Sequence, residues 1–311
     1  MHAYGSEGLN MPFFVIAGKF HCVNYSPDGD TIRFAPNDLS ELALLQGVPA
    51  KVNARGHTSV RVEAIDALET HYGGRHQPLA LANEARNALL AFLGISHVVW
   101  DTNQSSVLSA TDGVDGYILA RATDKFGRII GFLFPGAPSS PSGSDVFVRP
   151  AMLDASLNRF MLQEGLAFPT YYQTLFGELR TALTQTVQQA RAANKGIYAV
   201  DRTNTLSTIQ NIGSLTETLV LMPKLFRRAS DYVAEAGTIR GFKDALELNE
   251  EPVFDLVELN YTHFDTFIEE VGDQIRLTRK PEELVFDPMP ERPGGEFRAM
   301  VNEIEPALQE G

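Results

Sequence analysis

The feature that most constrains this chain is a rhythm of short β-prone runs broken by turn signals over its first 135 residues. Phe13–Tyr25 is rich in Phe, Val, Ile and Tyr and suits a long strand. Ser26-Pro27-Asp28-Gly29 is a turn signal, because proline presets φ and glycine accepts a positive one. Thr31–Phe34 resumes as a short strand, and a turn-rich stretch from about Pro36 to His57 holds a short helical candidate near Leu39–Leu45. Residues 60–65, VRVEAI, alternate apolar and polar as a half-buried strand does. Val98–Trp100, Gly116–Ala122 and Ile129–Phe134 are further strand candidates, the last two joined by the hairpin connection TDKFGR.

Helices punctuate and follow the strands. Pro78, Leu79, Ala82, Ala85, Leu89, Leu90 and Leu93 recur near a 3.6 period, and Gly94 is a C-terminal stop. After the Pro/Ser/Gly-rich loop 135–145, two helices are expected over about Met152–Glu164 and Gln173–Asn194. Lys195-Gly196 supplies the basic residue and glycine that end the second. Five strands with a few helices fit a small Greek-key barrel of the OB type. Beyond Asp201 the texture changes. Ser214-Leu215-Thr216-Glu217 reads as a capping box, and Pro223 as a helix start or kink ahead of a helical pattern over Lys224–Ala236. Phe254–Phe267 and Gln274–Thr278 look strand-like, and the last 20 or so residues form a polar, Pro/Gly-rich tail. The expected fold class is α+β, with a barrel domain over 1–204 and a small α+β appendage over 205–311.

Three short segments carry the chemistry. They are Asp28-Gly29-Asp30-Thr31, then Arg61-Val62-Glu63-Ala64-Ile65-Asp66-Ala67-Leu68-Glu69, then Asp124-Lys125-Phe126-Gly127-Arg128. Hard carboxylate oxygens of this kind hold a divalent cation that acts as a Lewis acid on phosphate. A further carboxylate can take a proton from water. Arginine offers a planar fork that matches phosphate oxygens. Asp28 also reads as a turn cap. His71 and His76 follow Glu69 without a metal-ligand spacing and read as a polar loop. Trp100 reads as core or barrel rim.

In this order the segments resemble the motifs of the staphylococcal nuclease (thermonuclease) family: DGDT, R-x-x-x-x-D-x-x-E and D-K-x-G-R. Leu157-Asn158-Arg159 with Gly165-Leu166-Ala167, and Glu178, Ala190 and Asn194-Lys195-Gly196-Ile197-Tyr198, extend the resemblance over about residues 12–200. It implies an OB-fold barrel and a calcium-dependent nuclease cleaving DNA or RNA with little sequence preference. It implies Asp30 and Asp66 as calcium ligands through their side chains, and Ala67 through its carbonyl. Glu69 would orient or deprotonate the attacking water. Arg61 and Arg128 would bind the scissile phosphate, and Lys125 and Tyr171 would lie near the nucleotide. Leu68 stands where the family has proline, which is expected to loosen the turn holding Glu69. Phe126 replaces a common tyrosine, and insertions fall at about 36–57 and 135–151.

The charge pattern bears on this. The formal charge is −13, but residues 205–311 hold 21 Asp+Glu against 10 Lys+Arg, so the barrel region is nearly neutral. That acidic region suggests a partner-binding or self-association module. The lone Cys22 allows neither an internal disulfide nor a zinc framework. No basic leader precedes an apolar run at the N-terminus, and no stretch approaches the roughly 20 apolar residues of a membrane span. The expected location is the cytoplasm. The alternative reading is an OB barrel that binds nucleic acid, or acts as a scaffold, without turnover.

Overall fold

The structure is a computed structural model and describes residues 12–286. The polar C-terminal tail lies outside the described residues.

Five strands close a barrel: β1 (Phe13–His21), β2 (Thr31–Pro36), β3 (Thr58–Val62), β4 (Val114–Thr123) and β5 (Ile129–Pro135). Their order around the barrel is β1-β2-β3-β5-β4, with β4 returning to β1. Every pairing is antiparallel except β3 with β5, which run parallel with Val60 opposite Ile129. The alternation expected of these strands holds: in β3, Thr58, Val60 and Val62 point inward, while Ser59 and Arg61 face outward. Phe20, Ile32, Phe34, Val60, Ile118, Ile129 and Leu133 fill the interior. A two-residue strand, Asp145–Val146, extends the sheet along β1, and the segments Ser96–Trp100 and Val107–Thr111 form a separate hairpin.

Helix α1 (Leu79–Phe92) buries Ala82, Ala85, Leu89 and Leu90, the stripe expected from its period. Gly94 follows it at φ +89°. The expected helix over Met152–Glu164 is a 3-10 turn at Pro150–Ala155 followed by α2 (Leu157–Gln163), whose N-cap Ser156 accepts from the Arg159 N–H. Helix α3 spans Gly177–Ala192. Asn158 is fully buried and acts as a bracket. Its Oδ1 accepts from Leu133 N, and its Nδ2 donates to the carbonyls of Glu63 and Gly131. It ties α2 to β5 and to the turn after β3, so this member of the sequence motif is structural.

Residues 205–286 share the core of the preceding part. Strand Tyr171–Tyr172 pairs in parallel with Leu284–Phe286, and Arg191 on α3 forms ion pairs with Asp201 and Glu282. Helix α4 (Pro223–Ala236) opens with Pro223 in its first turn and closes on Gly237 at φ +71°, as the proline and glycine rules expect. It buries Leu225, Phe226, Ala229 and Val233. A short helix α5 (Phe242–Glu247) follows. The expected capping box at Ser214 is a single wide turn with no side-chain cap bond. The expected strand over Phe254–Phe267 is a hairpin of Pro252–Asp255 with Asn260–His263, followed by a 3-10 turn. Among the described residues no helix is long and apolar enough to cross a membrane.

Candidate active site

The first two motifs meet where β2 begins and β3 ends. The strands pair with Thr31 opposite Arg61, which sets Asp30 beside the Arg61 side chain. A tight approach fixes the Asp-Gly-Asp turn: a Cβ on Gly29 would lie 2.5 Å from the Ala67 Cβ and 3.1 Å from that of Ala85. Only glycine lets the turn settle against both Ala67 and α1. Asp28 accepts from Gly29 N at 2.8 Å and from Thr70 Oγ1 at 3.1 Å, the capping role that its turn position suggested. Burial, followed by the nearby Asp30 charge, pushes its carboxyl up to about 6.

Arg61 sits between two carboxylates. Its Nη1 donates to Asp30 Oδ1 at 2.8 Å, and its Nη2 to Asp66 Oδ1 at 2.7 Å. Asp30 also takes the Thr31 hydroxyl on Oδ1 and the Ala67 N–H on Oδ2. Ala67 thus reaches the site through its N–H, on a short strand whose register sets it opposite Ala167.

A second arginine enters from a region that the motifs do not include. Arg227 of α4 donates from Nη2 to Asp66 Oδ2 at 2.7 Å. From Nη1 it donates to Asp66 Oδ1 at 3.1 Å and to Glu69 Oε1 at 2.5 Å. Asp66 is 0% exposed. Burial works against its charge, but Arg227 and Arg61 outweigh burial and hold the carboxyl well below the usual range. At Glu69 the balance goes the other way. Burial outweighs Arg227, the charges of Asp66 and Asp30 add to it, and the carboxyl is pushed up to about 7.

The helix that delivers Arg227 is fastened beside the site. Asp231 of α4 accepts from the Tyr72 hydroxyl at 2.6 Å and from Arg75. The wholly buried Gln77 accepts from Glu69 N at 3.2 Å and donates to Leu221 O at 2.8 Å, while its own N–H returns to Glu69 O. The turn carrying Glu69 is therefore pinned from both sides, and Leu68 within it is fully buried. The loosening expected from Leu68 in place of proline is absent, because apolar burial and Gln77 fix the turn that a proline ring would otherwise stiffen.

The remaining expected residues are placed differently. Arg128 precedes β5 on the side of Arg61, but it is bonded to Asp124, Nε to Oδ2 at 2.6 Å. The hairpin turns on Gly127 at φ +77°. Lys125 lines a cleft of about 560 Å³ whose walls include Tyr72, Arg227, Arg228, Asp231 and Glu251. Arg227 thus stands between this cleft and the carboxylates it binds. Tyr171 is a correction: it is fully buried and its hydroxyl bonds to Thr184 at 3.1 Å, so it offers no face to a nucleotide.

The carboxylates have the hard-oxygen chemistry of a calcium site, but this arrangement does not fit the ion. Both oxygens of Asp66, one of Asp30 and one of Glu69 already accept from guanidinium groups. Among the described residues no three His, Cys, Asp or Glu side chains are grouped to hold a metal. Arg227 and Gln77 are the members that sequence reasoning missed. The period of α4 shows only that Arg227 lies off its apolar stripe, and Gln77 carried no signal. Comparison with known proteins assigns no family, since no family model and no curated protein matches the chain.

Proposed function

We propose that this chain is a nucleic-acid phosphodiesterase on an OB-type barrel of the staphylococcal nuclease kind, and that the arrangement described is its closed state. The observation that carries the reading is the meeting of Asp30, Arg61, Asp66 and Glu69 in one bonded network. These residues come from separate turns and strands, and they are the ones the motifs single out. The closed five-stranded barrel supports the same reading.

The chemistry follows from the side chains. Arg61 presents two N–H donors in one plane and can exchange carboxylate oxygens for phosphate oxygens. Glu69, pushed up to about 7, is matched to taking a proton from water near neutral pH. Fixed guanidinium charge stabilises the negative charge that builds on the phosphoryl oxygens as water attacks. Arg128 joins only by exchanging Asp124 for phosphate. Calcium is given no step, because the carboxylates that the resemblance assigns to it are committed to Arg61 and Arg227.

The test is cleavage of labelled single- and double-stranded oligonucleotides by the full chain with calcium, magnesium, manganese or a chelator. Slow cleavage is expected from the wild type, faster cleavage from Arg227→Met, and none from Glu69→Gln. Undiminished cleavage by Glu69→Gln sinks the reading. A second reading, a strand-binding barrel without turnover, is favoured by one observation: Arg227 satisfies Asp66 and Glu69 from within the chain. Strand binding with no cleavage by either wild type or Arg227→Met, under any of the cations, selects it.

A further inference from the structure

A second cluster stands on the outer face of the barrel, away from the carboxylates. His21 at the end of β1 stacks on His57, with ring centroids 4.1 Å apart and planes 21° from parallel. Asp112 orients His21 through Nδ1 at 2.9 Å and spends its other oxygen on the Cys22 N–H. The Tyr25 hydroxyl bonds His57 Nδ1 at 3.0 Å and accepts from Asn53 Nδ2. Two guanidinium groups lie against the Tyr25 ring, Arg33 at 5.1 Å and Arg55 at 5.8 Å from its centroid. Among the described residues neither arginine has a carboxylate partner, and Asp112 is the only acid bonded within the cluster. On a chain of formal charge −13 this is a localised basic and aromatic surface.

Its position relative to Arg61 follows from the register. His21, Arg33 and Ser59 are opposite one another across β1, β2 and β3. Ser59 and Arg61 both face outward on β3, and His57 precedes them with the same parity. Four residues of extended chain put His57 about 13 Å from Arg61. A stacked strand rising ~3.4 Å per nucleotide spans that distance in about four nucleotides.

We infer that the His21–His57–Tyr25 stack, with Arg33 and Arg55, is a binding platform for single-stranded nucleic acid that leads along β2 and β3 toward Arg61. The flat rings accept bases of any sequence by stacking, and the two arginines take the flanking phosphates. A duplex keeps its bases paired and offers this stack no open face. The inference rests on the proposed phosphodiesterase for its direction but not for its chemistry.

The test measures anisotropy of fluorescein-labelled octathymidylate with the full chain and its variants, each carrying Glu69→Gln so that binding is read without cleavage, and separately the cleavage of dithymidylate with Glu69 in place. The wild type is expected to bind the octamer more tightly than a duplex of equal length. Arg55→Gln, at an exposed loop position, and Arg33→Gln are each expected to shrink the slope of log affinity against log salt by about 0.7. His57→Ala is expected to weaken the octamer by about 5-fold or more. Dithymidylate cleavage is expected to be the same in all three variants. Octamer affinity and salt slope equal to wild type in the variants, or a wild type that prefers duplex, overturns the platform. Weakened octamer binding without cleavage by any protein keeps the platform and removes the phosphodiesterase; cleavage with unchanged octamer binding does the reverse.

Discussion

Replacing Arg227 by methionine keeps most of the apolar stem and removes the charge. Three hydrogen bonds to two carboxylates are lost, and one of those carboxylates, Asp66, has no exposure. Removing one partner of a buried ion pair typically costs about 3–5 kcal/mol, because the remaining charge is left uncompensated. Asp66 keeps Arg61, and the Arg227 side chain is 18% exposed, so the lower end of about 3 kcal/mol applies here. The freed oxygens of Asp66 and Glu69 then become available to a divalent ion. Calcium at 100 times its dissociation constant returns about 2.7 kcal/mol, nearly the whole loss. The assay is urea denaturation of wild type and Arg227→Met in chelator and in calcium, with isothermal titration of calcium into both. The expected result is a variant less stable in chelator, rescued by calcium, and binding it at least tenfold more tightly than wild type. A variant as stable as wild type in chelator, or one that gains no more stability from calcium than the wild type gains, refutes the reasoning that Arg227 stands in for a cation.

Three further outcomes are expected. Glu63 is buried and pushed up to about 7 by that burial, with Arg121 opposing. An acid raised in the fold contributes stability that is full below its ordinary 4.5 and lost as pH rises through about 7, so Glu63→Gln should flatten the fall in stability between pH 5 and 7.5 seen by chemical denaturation. Gln77→Leu leaves the Glu69 N–H and the Leu221 carbonyl without partners in the core. It should cost about 2–4 kcal/mol by denaturation and lower cleavage more than substrate affinity, since it releases the turn bearing Glu69. Tyr171→Phe removes one buried hydrogen bond, to Thr184; a loss of about 1 kcal/mol with cleavage kinetics unchanged is expected, and an altered KM would return Tyr171 to the substrate site.

Strands such as β2 and β3 were legible because one face is dry and the other wetter, as over Thr58–Val62, while Ile129–Phe134 was legible as a short apolar run buried on both faces. The single strand expected over residues 60–65 instead breaks at a turn at Glu63-Ala64, with Ala64 at φ +68°. The approximate bounds of α1, α3 and α4 were legible from the apolar stripe each buries, with Gly94, Lys195-Gly196 and Pro223 marking ends that backbone geometry dictates. Asp30, Arg61, Asp66 and Glu69 could be singled out because phosphate chemistry needs those groups and they stand in short, ordered motifs. Tyr171 was misread because an aromatic near a motif gives no sign of which way its ring is buried. The turn at Leu68 was misread because its restraint comes from Gln77, and through it from Leu221, 144 residues beyond Gln77.

The chain's local order thus set which segments are strand or helix and which side chains can do chemistry, since both depend on neighbours within a few residues. Only the tertiary structure decided what those side chains are bonded to. Arg227 lies 158 residues from Glu69 and 161 from Asp66, and nothing in its own surroundings on α4 points to them. Its partners are fixed by where the packing of Leu225, Phe226, Ala229 and Val233 lays the helix beside the short strand Ile65–Ala67 that carries Asp66. Apolar burial is non-directional along the sequence, so a core that joins distant segments can carry a charge into a site whose motif does not include it.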